Sequence, residues 1–262
     1  MADFAGRTIL VVLAHPDDES LACGGTLARL ADAGARIVLL CASRGEKGSV
    51  SDRALVANDD LGSVRSHELH EAARILGIAE VLIFAHPDGD LRWADVPQFH
   101  VEIVLAIQRH KPDGVITFAE DGLYWHLDHI GVHERTYTAV KSFGPWAPPL
   151  YYVTMRHGLM REIVDAAAAN GLNVERQPFN VEPDAFGDYA KPPSFLVDVH
   201  AWVPRKLDAL RCHRTQIGPD NPFQHLTDAQ AQRLLGVEQF RRSPLEAGWN
   251  SVLEQLGERV TT

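Results

Sequence analysis

Residues 7–20, Arg-Thr-Ile-Leu-Val-Val-Leu-Ala-His-Pro-Asp-Asp-Glu-Ser, decide the fold. Arg7 to Leu13 is an unbroken apolar run rich in β-branched side chains, which predicts a strand covered on both faces rather than one that alternates between core and solvent. At Ala14 the run gives way to an imidazole, a proline and three consecutive acids. A helical pattern over about Glu19 to Ala33 follows, ended by Gly34. Strand, charged turn and helix together open a βα unit.

Outward from that unit the alternation continues. Arg36 to Cys41 reads as a second buried strand, followed by a Gly/Ser/Asp-containing loop through Asp60 and an amphipathic helix near Leu61 to Leu76 that Gly77 caps. Strands at Glu80 to Phe84, Gly114 to Phe118 and Tyr151 to Thr154 alternate with helices at about Val96 to His110, Ile130 to Lys141 and Leu159 to Ala169. After Pro-containing stretches come one more strand, Phe195 to Val199, and helices near Val203 to Cys212 and Asp228 to Leu235. The expectation is an α/β fold, a Rossmann-like and mostly parallel sheet with helices on both faces. Ligands of such sheets bind at the C-terminal ends of the strands, so the loops 14–20, 85–91 and 119–129 are where chemistry is expected. With 262 residues and neither repeat nor low-complexity tract, the chain reads as one domain over 1–262, its C-terminal third (about 180–262) wrapping the core.

Charge and composition exclude several classes. A formal net charge of −10 repels a phosphate backbone, so nucleic acid is not an expected partner. The apolar runs are too short for a bilayer and the first residues lack a basic, then apolar, leader, so no membrane and a cytoplasmic location are expected. Cys23, Cys41 and Cys212 are odd in number and widely spaced, fitting neither a disulfide framework nor a Cys-x-x-Cys site. Any metal must therefore be held by His and carboxylates.

His15-Pro16-Asp17-Asp18-Glu19 concentrates three carboxylates at a strand end. A helix N-terminus supplies only a partial positive charge, enough for one or two acids, so the cluster calls for a cation. Pro16 restrains His15 to an extended backbone. His15 and Asp18 can reach one ion from the same side, leaving Asp17 free as a base. The loop Tyr124-Trp125-His126-Leu127-Asp128-His129, at the entrance to a later helix, can supply a third ligand from the same sheet edge. A His/Asp/His set suits zinc, and Fe(II) or another divalent ion also fits.

His15-Pro16-Asp17-Asp18-Glu19 with His126-Leu127-Asp128-His129 resembles the PIG-L/LmbE family of zinc-dependent N-deacetylases, which includes enzymes of the mycothiol and bacillithiol pathways and diacetylchitobiose deacetylase. Arg65 and Glu68, Asp88-Gly89 and the stretch Lys206 to Gln216 extend the likeness over nearly the whole chain. The resemblance implies that His15, Asp18 and His129 hold the metal. It implies that Asp17 is the general base, that His126 stabilises the oxyanion or protonates the leaving amine, that Asp128 orients His126, and that Tyr124 polarises the scissile carbonyl. Arg65 and Asp88 match sugar-contacting positions, with Ser20 facing the substrate as well. The implied reaction is removal of an acetyl or other acyl group from an N-acylated amino sugar, an N-acetylglucosamine derivative, by a metal-activated water. Relatives assemble into trimers or hexamers, so a homo-oligomer is expected. A neutral amide resists attack, and hydrolysis needs a base near the water and an acid near the nitrogen. A hydrogen bond from Asp128 to His126 would favour the imidazolium that can act as that acid.

His133 lies one helical turn beyond His129, and the pair offers an alternative metal clamp, yet His133 reads first as a helix-face residue. His86-Pro87-Asp88 echoes the first motif, making His86 a pocket wall or an alternate ligand, with the ligand role the less favoured, while His67 and His70 read as exposed or as supporting the site from behind. Cys212 to Gln216 reads as a packing element or a pocket wall. Of Trp93, Trp125, Trp146, Trp202 and Trp249, only Trp125 is placed to line a site. The aglycone pocket is expected from loop 43–60 and the C-terminal third. A non-catalytic sugar- or metal-binding protein on the same scaffold would not need Asp17 and His126. A Rossmann nucleotide-binding protein would need a glycine-rich turn where three carboxylates stand, whereas Gly24-Gly25 falls inside the helix.

Overall fold

The computed structural model describes residues 3–56, 60–93, 95–173, 181–245 and 252–260. Trp249 and residues 57–59 of loop 43–60 lie outside them. The first strand, β1 (Thr8–Leu13), is buried along five of its six residues and pairs in parallel with both β2 (Arg36–Cys41) and β4 (Gly114–Phe118). β3 (Glu80–Ile83) extends the sheet beyond β2 and β5 (Leu150–Thr154) beyond β4, again in parallel. The chain therefore runs outward on one side of β1 and returns to its other side, creating a topological switch between β1 and β4. Crevices at such switches are where open α/β sheets hold ligands.

Helices cover both faces. On one face α1 (Asp18–Asp32) and α2 (Leu61–Leu76) pack with α7 (Val203–Cys212); on the other α3 (Val96–His110) packs against α5 (Leu127–Lys141). Between them, the short α4 (Gly122–Trp125) is an irregular turn, with Leu123 and Tyr124 outside helical dihedrals. α6 (Leu159–Ala169) and α8 (Asp228–Leu235) complete the set.

Two strands escaped the sequence reading. β7 (Val237–Arg242) inserts antiparallel between β5 and β6 (Phe195–Asp198), and β8 (Gly257–Arg259) pairs antiparallel with β6, giving the order β3-β2-β1-β4-β5-β7-β6-β8. Val-Glu-Gln-Phe-Arg-Arg hides a strand because its two buried positions are Glu238 and Phe240, and Gly-Glu-Arg carries no apolar residue at all. α5 begins at Leu127 rather than Ile130, which puts Asp128 and His129 in its first turn.

α1 is broken at Cys23, whose φ of −148° is non-helical. Beyond the break the freed N–H groups of Gly25 and Thr26 donate to Glu238 (2.9 and 2.7 Å), and Lys206 Nζ closes the pair at 2.6 Å. A carboxylate on N–H groups that a helix turn leaves unpaired is an N-cap supplied from 213 residues away. Gly25 is required there, since a Cβ would lie 2.7 Å from Val199. Among the described residues no helix is long and apolar enough to cross a membrane.

Candidate metal and catalytic site

β1 and β4 deliver two loops to the switch point. His15 follows β1, and its backbone N–H donates to Asp18 Oδ2 at 2.8 Å, curling the acidic turn over the start of α1. From β4, the turn 121–125 carries left-handed Leu123 (φ 67°) and Trp125 (φ 63°) before α5 starts. With Asp17 (φ 119°), three of the four non-glycine residues of positive φ among those described sit in these two loops. Strain of this kind gathers where geometry serves chemistry.

His129 stacks on Phe118, with centroids 4.0 Å apart and planes 3° from parallel, and its Nδ1 donates to Gly122 O at 3.1 Å. That fixes the tautomer and leaves Nε2 buried without a hydrogen-bond partner among the described residues, 3.2 Å from Asp18 Oδ1. The other Asp18 oxygen lies 3.6 Å from His15 Nδ1. Two ligand atoms each about 2.1 Å from one ion in tetrahedral array stand roughly 3.4 Å apart, and these separations bracket that value. His15 Nε2 in turn donates to Asp128 (2.9 Å) and Asp88 (3.1 Å), the outer carboxylates that orient metal-binding imidazoles. An orphaned imidazole nitrogen facing a carboxylate, with both rings locked from behind, fits a divalent cation. Ligand atoms within 4.8 Å of one another form two groupings among the described residues, His15 with His126 and His129, and His15 with Asp88 and Asp128. Asp18 stands in neither grouping but faces both His15 and His129, one carboxylate oxygen to each ring.

The charge balance points the same way. Burial disfavours a charged His15, yet Asp128, Asp18 and Asp88 outweigh it and hold its pKa well above the usual value. Asp18 is also buried, but His129 and His15 hold its pKa well below the ordinary range. Asp88 is drawn down to about 2, His15 overcoming its partial burial. Protons here do what a cation does. Asp17 differs from its neighbour: burial pushes its pKa up to about 6 in spite of Arg65, whose Nη2 lies 3.1 Å from Oδ2. Burial raises the Tyr124 phenol well above its usual value, keeping it a donor; its ring stands 5.5 Å from His126 and 5.4 Å from His129.

Several expectations are revised. Asp128 accepts from His15 Nε2, Gly89 N (2.7 Å) and Leu91 N (2.9 Å), so its carboxylate serves His15, while His126 Nδ1 is buried with no partner among the described residues. Burial and the neighbouring His129 and His15 lower the His126 pKa to about 4, so the ring is neutral rather than an imidazolium. Ser20 is fully buried and gives its hydroxyl to Glu19 instead of facing a substrate. Arg65 and Asp88 are buried at 3% and 6% exposure; Arg65 holds Gly45 O, Pro16 O and Asp17, and Asp88 holds His15 and Lys47 N. His133 bonds Phe118 O, His86 bonds Glu102, and His67 and His70 bond carbonyls of their own helix, all away from the cluster. Sequence reasoning missed the pair His213–Glu19, joined at 2.8 Å across 194 residues, for which no local pattern exists.

The model for the GlcNAc-PI de-N-acetylase family, PIG-L, matches residues 10–140. A 1D-myo-inositol 2-acetamido-2-deoxy-alpha-D-glucopyranoside deacetylase from Acidothermus cellulolyticus is 33% identical over 264 residues, covering 89% of this chain and 88% of its own. The chain belongs to the PIG-L family. Among solved structures, the N,N'-diacetylchitobiose deacetylase of Pyrococcus horikoshii shares the PIG-L fold with a TM-score of 0.62 at 24% identity, over 91% of this chain and 84% of that one. A 4-carboxy-2-hydroxymuconate hydratase from Pseudomonas putida does so too, with a TM-score of 0.62, 21% identity and 98% of both chains covered. The PIG-L scaffold alone therefore does not decide the reaction, and the side chains must.

Proposed function

We propose that this PIG-L member is a zinc-dependent hydrolase that removes the acetyl or a related acyl group from the nitrogen of a small amino-sugar derivative. The observation that carries the reading is Asp17: beside a ligand set its neighbour Asp18 completes, it stands apart, with a pKa of about 6 that suits a base working near neutrality. A binding site has no need of such a group. His15, Asp18 and His129 would hold the ion; two imidazoles and one carboxylate suit zinc, with Fe(II) the alternative. A divalent ion there supplies Lewis acidity, making a water more acidic and polarising an amide carbonyl.

The residues divide the remaining work. Asp17 takes the proton of the attacking water as its oxygen bonds to the amide carbon. Neutral His126 and the Tyr124 hydroxyl donate hydrogen bonds to the developing oxyanion, a role a neutral imidazole performs without carrying charge. As the C–N bond breaks, the proton held by Asp17 passes to the leaving nitrogen, giving amine and carboxylate. Arg65 steadies Asp17 throughout and Asp88 steadies His15; any contact they make to the sugar comes at the floor of the site. The N-acetylglucosamine portion of the substrate is supported by the name of the Acidothermus relative, and on this reading the enzyme works on diffusible small molecules in the cytoplasm.

Acetate release from N-acetylglucosamine glycosides, with metal content measured before and after chelation, tests the proposal. Release that stops on chelation and returns with zinc supports it, and Asp17→Asn should abolish turnover with metal content near normal. Chelator-insensitive release, or an active Asp17→Asn variant, would sink it.

A further inference from the structure

Asp17 occupies φ 119°, ψ −26°, a strained backbone region that an L-residue keeps only where its surroundings impose it. Two buried anchors meet there. Arg65 takes the Pro16 carbonyl (2.6 Å) and one Asp17 carboxylate oxygen, in a cradle that a Cβ at Gly45 or Gly48 would fill. The other anchor is Glu19, whose Oε2 accepts the Asp17 backbone N–H at 3.1 Å. Its Oε1 is held by the Ser20 hydroxyl and by His213 Nε2 at 2.8 Å, and Glu19 and His213 are 1% and 0% exposed. Among the described residues His213 Nδ1 has no hydrogen-bond partner, so the ring's polar contact there is the one with Glu19. The segment bearing His213 is fixed in turn: Thr215 donates from N (2.9 Å) and Oγ1 (2.6 Å) to Glu68, and Ser51 N donates to Thr215 O. Glu68 stands one turn from Arg65 on the buried face of α2. One helix face thus holds the side chain of Asp17 directly and, through the 213–215 segment and Glu19, its backbone.

We propose that His213 is a positioning residue for hydrolysis: by fixing Glu19 it holds Asp17 in the left-handed conformation that keeps its carboxylate out of the ligand set and turned to the attacking water. This rests on the hydrolytic reading above. His213 touches no reacting atom and acts only through Glu19 and the Asp17 N–H.

Two replacements separate positioning from bulk. A glutamine amide reaches where the imidazole Nε2 sits, whereas an asparagine amide stops near Nδ1. His213→Asn should lower kcat about 10- to 100-fold, the upper end being what a misplacement of about 1 Å can cost. KM and bound metal per chain should stay within about twofold of wild type, and a crystal structure should show Asp17 outside positive φ. His213→Gln should keep kcat within about threefold and retain Asp17's conformation. If His213→Asn fails to fold, judged by circular dichroism, Glu19→Gln replaces it, since its amide nitrogen cannot accept, and the same kcat loss is expected. Wild-type kcat in His213→Asn, or an equal loss in His213→Gln, overturns the proposal. Should the wild-type protein release no acetate, the hydrolytic reading falls by itself, and Asp17 keeping positive φ in His213→Asn overturns the positioning link separately.

Discussion

Asp128→Asn distinguishes the role the sequence suggested for Asp128, orienting His126, from the one the structure shows, orienting His15. The carboxylate accepts three N–H groups, Leu91 N on Oδ1 and Gly89 N with His15 Nε2 on Oδ2. An asparagine has one acceptor oxygen, so whichever way the amide turns, its NH2 faces a buried N–H. One unsatisfied donor costs about 1–3 kcal/mol of stability. For the metal, loss of a carboxylate behind a ligating imidazole weakens affinity by about 10- to 100-fold, equivalent to roughly 1.4–2.8 kcal/mol. Asp88 remains 3.1 Å from the same Nε2 and still carries charge, so the lower end, about tenfold, is expected. The double variant with Asp88→Asn should approach the upper end. Competition against a chromophoric chelator measures the zinc Kd directly, and urea unfolding of the metal-free protein measures the stability cost. An unchanged zinc Kd beside a collapsed kcat would refute the reasoning and return Asp128 to His126.

Tyr124→Phe should lower kcat without altering metal content, and unchanged kinetics would remove the phenol from the oxyanion site. Gly25→Ala places a Cβ 2.7 Å from Val199 and should cost about 1–3 kcal/mol in urea unfolding, whereas Gly24→Ala, whose nearest neighbour is 3.4 Å away, should be neutral or stabilising; equal effects would contradict the packing. Lys206→Met leaves Glu238 buried with only two backbone donors, so a loss near 3 kcal/mol is expected, the low end for breaking a buried pair, and a loss under about 1 kcal/mol would show that the pair contributes little. Zinc at 100 times its Kd should stabilise the fold by about 2.7 kcal/mol, read as a melting shift of roughly 5–10 °C on chelation. No shift would argue against a bound divalent ion.

The parallel half of the fold was legible because β1, β2, β4 and β5 are buried almost throughout, with β3 half-buried at the sheet edge, and their helices end in recognisable stops: Leu61 to Leu76 begins after Asp60, whose side chain caps Ser63 N, and ends at left-handed Gly77. Of the antiparallel addition only β6 was, since β7 buries a glutamate whose partner, Lys206, lies 32 residues away. The same distinction divides the site. His15, Asp18 and His129 announce themselves as ligand types packed at strand ends, and the structure brings them together. What each carboxylate does was illegible: Asp128 sits two residues from His126 in sequence but meets His15 in space, and Glu19 acquires its meaning only from His213. Local adjacency suggests partners, whereas pairing across the fold is set by packing.

The insertion of β7 beside β5 has a practical consequence for anyone who would shorten this protein. Every proposed ligand and the proposed base lie before Lys141, within the stretch from β1 to α5 and its loops. Yet the turn that bears them is fastened by Glu238, which restarts α1 behind it, and by His213 and Thr215, which grip Glu19 and Glu68. A fragment ending at Lys141 would possess the whole inventory of proposed metal-binding side chains and the contacts that lock their rings from behind, yet lack the three that fasten the turn below Asp17 and restart α1. In this chain the composition of the centre lies in the first half, while part of its shape is set from the second.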